Sequence, residues 1–199
     1  MELDREQLEV AQTAARMIVE DGLDYASARR KALQEHGEGG RRLRDAPSHE
    51  VIEDEVRAHI AIFHADTQPA ELRALRETAL RWMLRLAEFR PHLGGAVWRG
   101  TATRQSIVRI DLYCDDTKAP EIALLNKGID YDTVSEPLGR GEQSLTLVLD
   151  EYDRALEDTV TIHLNILDAD DLRGALKPDA RGQTWRGDAA ALTQLLESS

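Results

Sequence analysis

The chain has 199 residues, 42% of them hydrophobic and 31% charged, and its 37 Asp and Glu against 25 Lys and Arg leave a formal charge of −12. That length suits one medium domain with a real core, or a small domain with an appendage, and the acidic balance repels a polyphosphate backbone, so nucleic acid is not an expected partner. No stretch approaches the roughly 20 uncharged residues that a membrane span needs, the opening MELDREQLEV lacks the basic and apolar regions of a signal peptide, and the single Cys114 has no internal disulfide partner, so a cytoplasmic protein with no membrane association is expected.

Residues 4 to 21 place Leu8, Ala11, Ala15, Ile18 and Val19 at helical spacing, with Gly22 as the stop. A second helix is predicted from Tyr25 to His36, followed by the glycine-rich, apolar-poor stretch EGGRRLRDAPS, which reads as a connector over 37–47. Ser48 suits the N-cap of a third helix with Ile52, Val56, His59, Ile60 and Phe63 facing inward. A fourth begins at Pro69, carries Leu72, Leu75, Ala79, Met83, Leu86 and Ala87, and stops before Arg90-Pro91, because a residue before proline avoids helical dihedrals.

Beyond Pro91 the period changes. GGAVW reads as a short strand, and VRIDLYC alternates Val108, Ile110, Leu112 and Cys114 on one face with Arg109, Asp111 and Tyr113 on the other. A short helix is predicted over APEIALLNKG, then strands in IDYDTV, SLTLVLD and TVTIHLNIL, joined by turns EPLGRGEQ and EYDRALED. The loop ARGQTWRG leads to a last helix capped by Asp188. The expectation is an α+β fold, with a helical N-terminal half and a mixed sheet of about five strands. Residues 1–47 read as a helical appendage and connector, and 48–199 as helices plus the α/β core.

The segment GAVWRGTATRQSIVRIDL, residues 95 to 112, resembles the entry to the nucleotidyltransferase fold, the polymerase-beta-like or minimal nucleotidyltransferase type, with its pattern GSxxxGxxxxxSDxD. Gly95 and Gly100 match its glycines, Ala96 stands at its first serine and Ser106 at its second. The resemblance implies a strand, a glycine turn that cradles phosphate, and two carboxylates at i and i+2 that hold divalent metals. Ile107 and Arg109 occupy those two slots here; a slipped register puts Asp111 in the first and Tyr113 in the second. For the family's third carboxylate, the later strand offers His163 and Asn165, with Asp168, Asp170 and Asp171 just beyond it.

With the acidic motif degenerate, the expectation is a nucleotidyltransferase-like protein without standard two-metal catalysis, acting as a nucleotide- or anion-binding or protein-interaction module. Gly95, Gly100, Thr101 and Thr103, with Arg99, Arg104 and Arg109, are the candidate nucleotide or phosphate ligands, since guanidinium supplies its own charge and a bidentate fork. Asp111 is the candidate catalytic residue of the alternative, an active enzyme that pairs it with a later Asp and needs magnesium; otherwise no cofactor is expected. A third alternative is a DNA-binding regulator, because AARMIVEDGLDYASARRKALQEHG resembles the opening of TetR-type proteins, although no apolar-patterned recognition helix follows Gly37. His59 and His64, five apart, are expected to diverge by about 140° around a helix and not to share a metal. Cys114 reads as a small core residue, and His92 as a capping or core group that stands within reach of a phosphate at the glycine turn.

Overall fold

The computed structural model describes residues 5–36, 46–138, 142–179 and 181–198. The chain forms two compact units, one of Met1–Leu72 with Thr101–Ser106, the other of Arg73–Gly100 with Ile107–Ser199. The division falls inside a helix, and residues 37–45 of the predicted connector lie outside the described ones.

The first unit is built from helices α1 (Arg5–Asp21), α2 (Tyr25–His36) and α3 (His49–Phe63), and the start of α4 (Gln68–Arg85). Ala11, Ala15, Ile18, Val19, Ile52 and Val56 are buried at the helical spacing that the sequence predicts, together with Val10, Ala14, Ala28 and Ala32. Gly22 adopts φ 67, a left-handed conformation that ends α1 without a Cβ penalty. Ser48 caps α3 by accepting from the Val51 amide at 3.4 Å. Phe63, predicted to face inward, is exposed at the last residue of α3, where its ring meets that of His59 at 4.7 Å.

The second unit holds a mixed six-stranded sheet in the order β3-β4-β5-β2-β1-β6. Its strands are β1 (His92–Gly94), β2 (Val108–Cys114), β3 (Asp132–Leu138), β4 (Glu142–Asp153), β5 (Asp158–Asp168) and β6 (Arg186–Gly187). All neighbours run antiparallel except β2 and β5, which are parallel. One face is apolar and buried: Val108, Ile110, Leu112, Leu147, Leu149, Ile162, Leu164 and Ile166. On its side, α4 contributes buried Leu75, Ala79, Trp82 and Met83, and Leu86 just beyond its end is buried too. Each such Val, Leu, Ile or Met side chain taken from water stabilises by about 1.5–3 kcal/mol. The end of α4 is tied to β4 by the Thr78 hydroxyl on Asp153 at 2.6 Å and by the Trp82 indole on Glu151.

GGAVW is not a strand. Gly95 takes φ 66, leaves the ladder after Gly94, and opens the short helix α5 (Gly95–Arg99), whose end carbonyls on Val97 and Trp98 accept from the Arg76 guanidinium at 3.1 and 3.3 Å. The loop ARGQTWRG contributes β6, whose two residues are too few to show a period, so the sheet has one strand more than expected. The other elements fall close to their predicted places: α6 (Ala119–Asn126), and α8 (Ala189–Glu197) capped by Asp188 on the Ala191 amide at 2.8 Å. Between β5 and β6 lie a 3-10 turn, Ala169–Asp171, and a one-turn helix α7 (Leu172–Ala175).

Candidate functional site

The second face of the sheet carries polar side chains because strands alternate. Register sets them in rows. Asp111 of β2 lies between Asn165 of β5 and His92 of β1, and Thr146 of β4 lies opposite Asn165. In the next row Arg109 lies between His163 and Gly94, and Gly94 lies opposite Arg186 of β6. Two arginines therefore lie in one row on either side of Gly94, where an added Cβ would meet the Trp185 carbonyl oxygen at 3.6 Å and Arg186 Cβ at 3.9 Å.

Asp111 is nearly buried, its side chain 10% exposed, and fully engaged: it accepts from the Asn165 amide at 2.8 Å and pairs with Arg186 at 3.2 Å. Thr146 in turn donates to the Asn165 carbonyl at 3.0 Å. The same Arg186 Nη1 donates to the Tyr113 hydroxyl at 2.7 Å, and Arg186 Nε is buried with no acceptor among the described residues. Burial, then the charge of Asp111, pushes the Tyr113 phenol above its ordinary value, so it stays protonated. His92 meets Tyr113 edge to face at 5.4 Å and also lines a cleft of about 440 Å³ with Arg90, Met83, Leu172 and the first residues of α8.

This donor set does not fit a two-metal centre. On the sheet face it offers Asp111, already matched by a guanidinium, with Arg109 two residues away on the same face, and the charge of Asp171 also acts on Tyr113 from beyond β5; two positive side chains among these carboxylates disfavour a divalent cation. Asp168 gives no second ligand beside Asp111: it lies opposite Cys114, three residues or about 10 Å along the strand from Asn165. Its carboxylate caps the 3-10 turn through the Asp170 amide at 2.8 Å.

The predicted glycine-turn ligands are not brought together. Arg99 and Asp179 form an ion pair at 3.0 Å with both side chains only 2% exposed, and Arg99 stacks on Trp185 at 4.3 Å. Gln183 and Arg181 amides, with Arg99, hold the Asp179 carboxyl below the ordinary range. Thr101 and Thr103 are buried in the helical unit, hydrogen-bonded to the Tyr25 hydroxyl at 2.9 Å and to the Val19 carbonyl at 2.9 Å. The Arg104 amide donates to Glu71 at 2.9 Å, and the Gln68 amide holds the Ala102 carbonyl at 2.9 Å. TATRQS is therefore a structural clasp: its hydroxyls serve internal partners and do not face a ligand. Gly95 and Gly100 (φ 78) bound α5, and of the predicted arginines only Arg109 lies on the polar sheet face, its Cδ packed over Gly95.

Sequence reasoning missed Gly94 and Arg186, which only the strand register brings beside Arg109. It also misplaced two histidines. In the helical unit, His59 and His64 Nε2 both reach Glu20 Oε1, at 2.9 and 3.1 Å. The expected divergence assumes a continuous helix, but His64 is the C-cap of α3 with φ −132, so its side chain turns back toward α1. Cys114 is buried and its thiol is pushed up by burial and by Asp116 and Asp115, consistent with an unreactive core position.

No helix among the described residues is long and apolar enough to cross a membrane. No family model, curated protein or solved structure matches the chain.

Proposed function

We propose that this chain is a nucleotidyltransferase-like protein that has exchanged two-metal catalysis for metal-independent binding of a nucleotide or a related phosphate. The carrying observation is the row Arg109, Gly94, Arg186, with His163 at its end. Two arginines in one row suit a phosphate, because a guanidinium offers paired N–H donors to it without needing a cation as a bridge. Arg186 stands on Asp111 where a metal would otherwise neutralise the carboxylate. The likeness to nucleotidyltransferases rests on the glycine turn between β1 and β2 and on the mixed sheet with its parallel β2 and β5 pair. The adjoining cleft is within the size range of small-ligand sites, and His92 links it to the Asp111 cluster.

Titration of the protein with fluorescent ATP in magnesium and in EDTA tests this reading. Equal affinity in both, no pyrophosphate release, and at least roughly tenfold weaker binding by Arg109→Gln, an average charge-assisted contact, are expected. Binding that strictly requires magnesium, or nucleotidyl transfer abolished by Asp111→Asn, would make the protein an enzyme instead.

A further inference from the structure

Glu20, His59 and His64 are presented by two helices, and their ligand atoms all lie within 4.8 Å of one another. Glu20 is the penultimate residue of α1, His59 belongs to the last turns of α3, and His64 is the α3 C-cap. Both helices thus direct the negative ends of their dipoles at the cluster, where a cation is favoured and a lone carboxylate is not. No basic side chain stands in the last turn of either helix to supply that charge.

We propose that Glu20, His59 and His64 form a binding site for a divalent first-row transition metal of the zinc type, which clamps α1 to α3 and leaves a coordination position open to water. Two imidazoles and one carboxylate are the donor set of open zinc sites, while magnesium and calcium prefer oxygen alone. Tetrahedral ligands about 2.0–2.1 Å from zinc lie roughly 3.3 Å apart. The two Nε2 to Oε1 separations, 2.9 and 3.1 Å, need to open by a few tenths of an ångström, and the two Nε2 atoms, within 4.8 Å of each other, reach the same spacing by side-chain rotation. The side chains are 19%, 25% and 45% exposed for His59, His64 and Glu20, so the ion has a path in and the fourth position faces solvent. Against the sheet-face cluster the contrast is chemical: there the carboxylate meets guanidiniums, which cannot ligate, and here it meets imidazoles, which can.

Calorimetric titration of the untagged, chelator-stripped full chain with zinc, in excess magnesium, is the test. One zinc per chain is expected, with a Kd raised at least roughly tenfold in each of Glu20→Gln, His59→Gln and His64→Gln. Cobalt in place of zinc should give the intense visible bands of a four- or five-coordinate ion. In a sample with labelled histidine, the two rings of His59 and His64 should shift out of the six in the chain, a readout that needs no variant to fold. Absence of one-to-one binding, zinc affinity unchanged in all three variants, or shifts confined to other histidines would overturn the proposal.

Discussion

At the scale of single residues, Arg186 is the group on which the sheet-face cluster turns. Its guanidinium bridges Asp111 and the Tyr113 hydroxyl, so removing it leaves a nearly buried carboxylate and a buried phenol short of partners. Arg186→Met should lower stability by about 1–3 kcal/mol, and the double variant Asp111→Asn with Arg186→Met should recover part of that loss, because no uncompensated charge remains. Urea unfolding of the four proteins in the cycle measures it; additive losses would mean that the two side chains do not depend on each other. Glu20 makes a second prediction. His59 and His64 lower its folded pKa, so the carboxylate stabilises the fold above the unfolded glutamate value of about 4.3 and that contribution is lost as pH falls through the folded value. The urea midpoint of Glu20→Gln should therefore be less sensitive to pH below about 4.5 than that of the wild type; because Glu20 is partly exposed, the difference is modest. Parallel acid limbs would contradict it. The parity that puts Arg109, Asp111 and Tyr113 on one face was readable in VRIDLYC. The identity of their partner was not, since a two-residue strand some 75 positions away leaves no pattern.

At the scale of elements, the segment from Thr101 to Ser106 separates what looks like a ligand loop from what holds the fold. Threonines and a serine beside glycine and arginine suit a phosphate loop as well as an internal clasp, and sequence cannot distinguish hydroxyls that face a ligand from hydroxyls that bond to Tyr25 and Val19. The tightest point of the clasp is Gly22, where an added Cβ would stand 2.1 Å from the Gln105 carbonyl oxygen at φ 67. Gly22→Ala should cost more than about 2 kcal/mol, from left-handed strain together with the clash. A thermal midpoint within a degree of the wild type would mean that this approach is not made. Helix α5 has an equivalent role at the other glycine-bounded segment. Its Trp98 indole donates to the Thr184 carbonyl at 2.9 Å, and Arg99 reaches the same carbonyl and Asp179. Arg99→Gln should accelerate amide exchange in Gln183–Gly187 while leaving ATP affinity within about twofold; a selective loss of ATP affinity would return Arg99 to the ligand site. GAVWR was legible as apolar and short, but its helical form follows from the left-handed turn at Gly95, where an apolar pentamer is otherwise ambiguous between strand and helix.

For the whole molecule, strong periodicity was the part of the sequence that carried through. The helices up to residue 85, the strands β2 and β5 and the caps at Ser48 and Asp188 all repeat their apolar spacing in the burial of the structure. Sheet order, strand register and the division into units depend on contacts between distant residues, and no local pattern encodes those. The acidic composition is one property that bears on function directly: with a net charge of −12, any anion must be held by a local cluster against the field of the molecule, so raising ionic strength screens both contributions and the affinity should respond weakly to salt compared with a basic nucleotide-binding protein. The central claim is that the cluster is the row Arg109, Gly94, Arg186. Two-dimensional amide NMR of the labelled protein, titrated with ATP in EDTA, tests it most directly. The account predicts shifts centred on residues 92–94, 109–113, 163–165 and 186, with 101–106 undisturbed. Shifts centred on 101–106, or no shifts until magnesium is added, would contradict it.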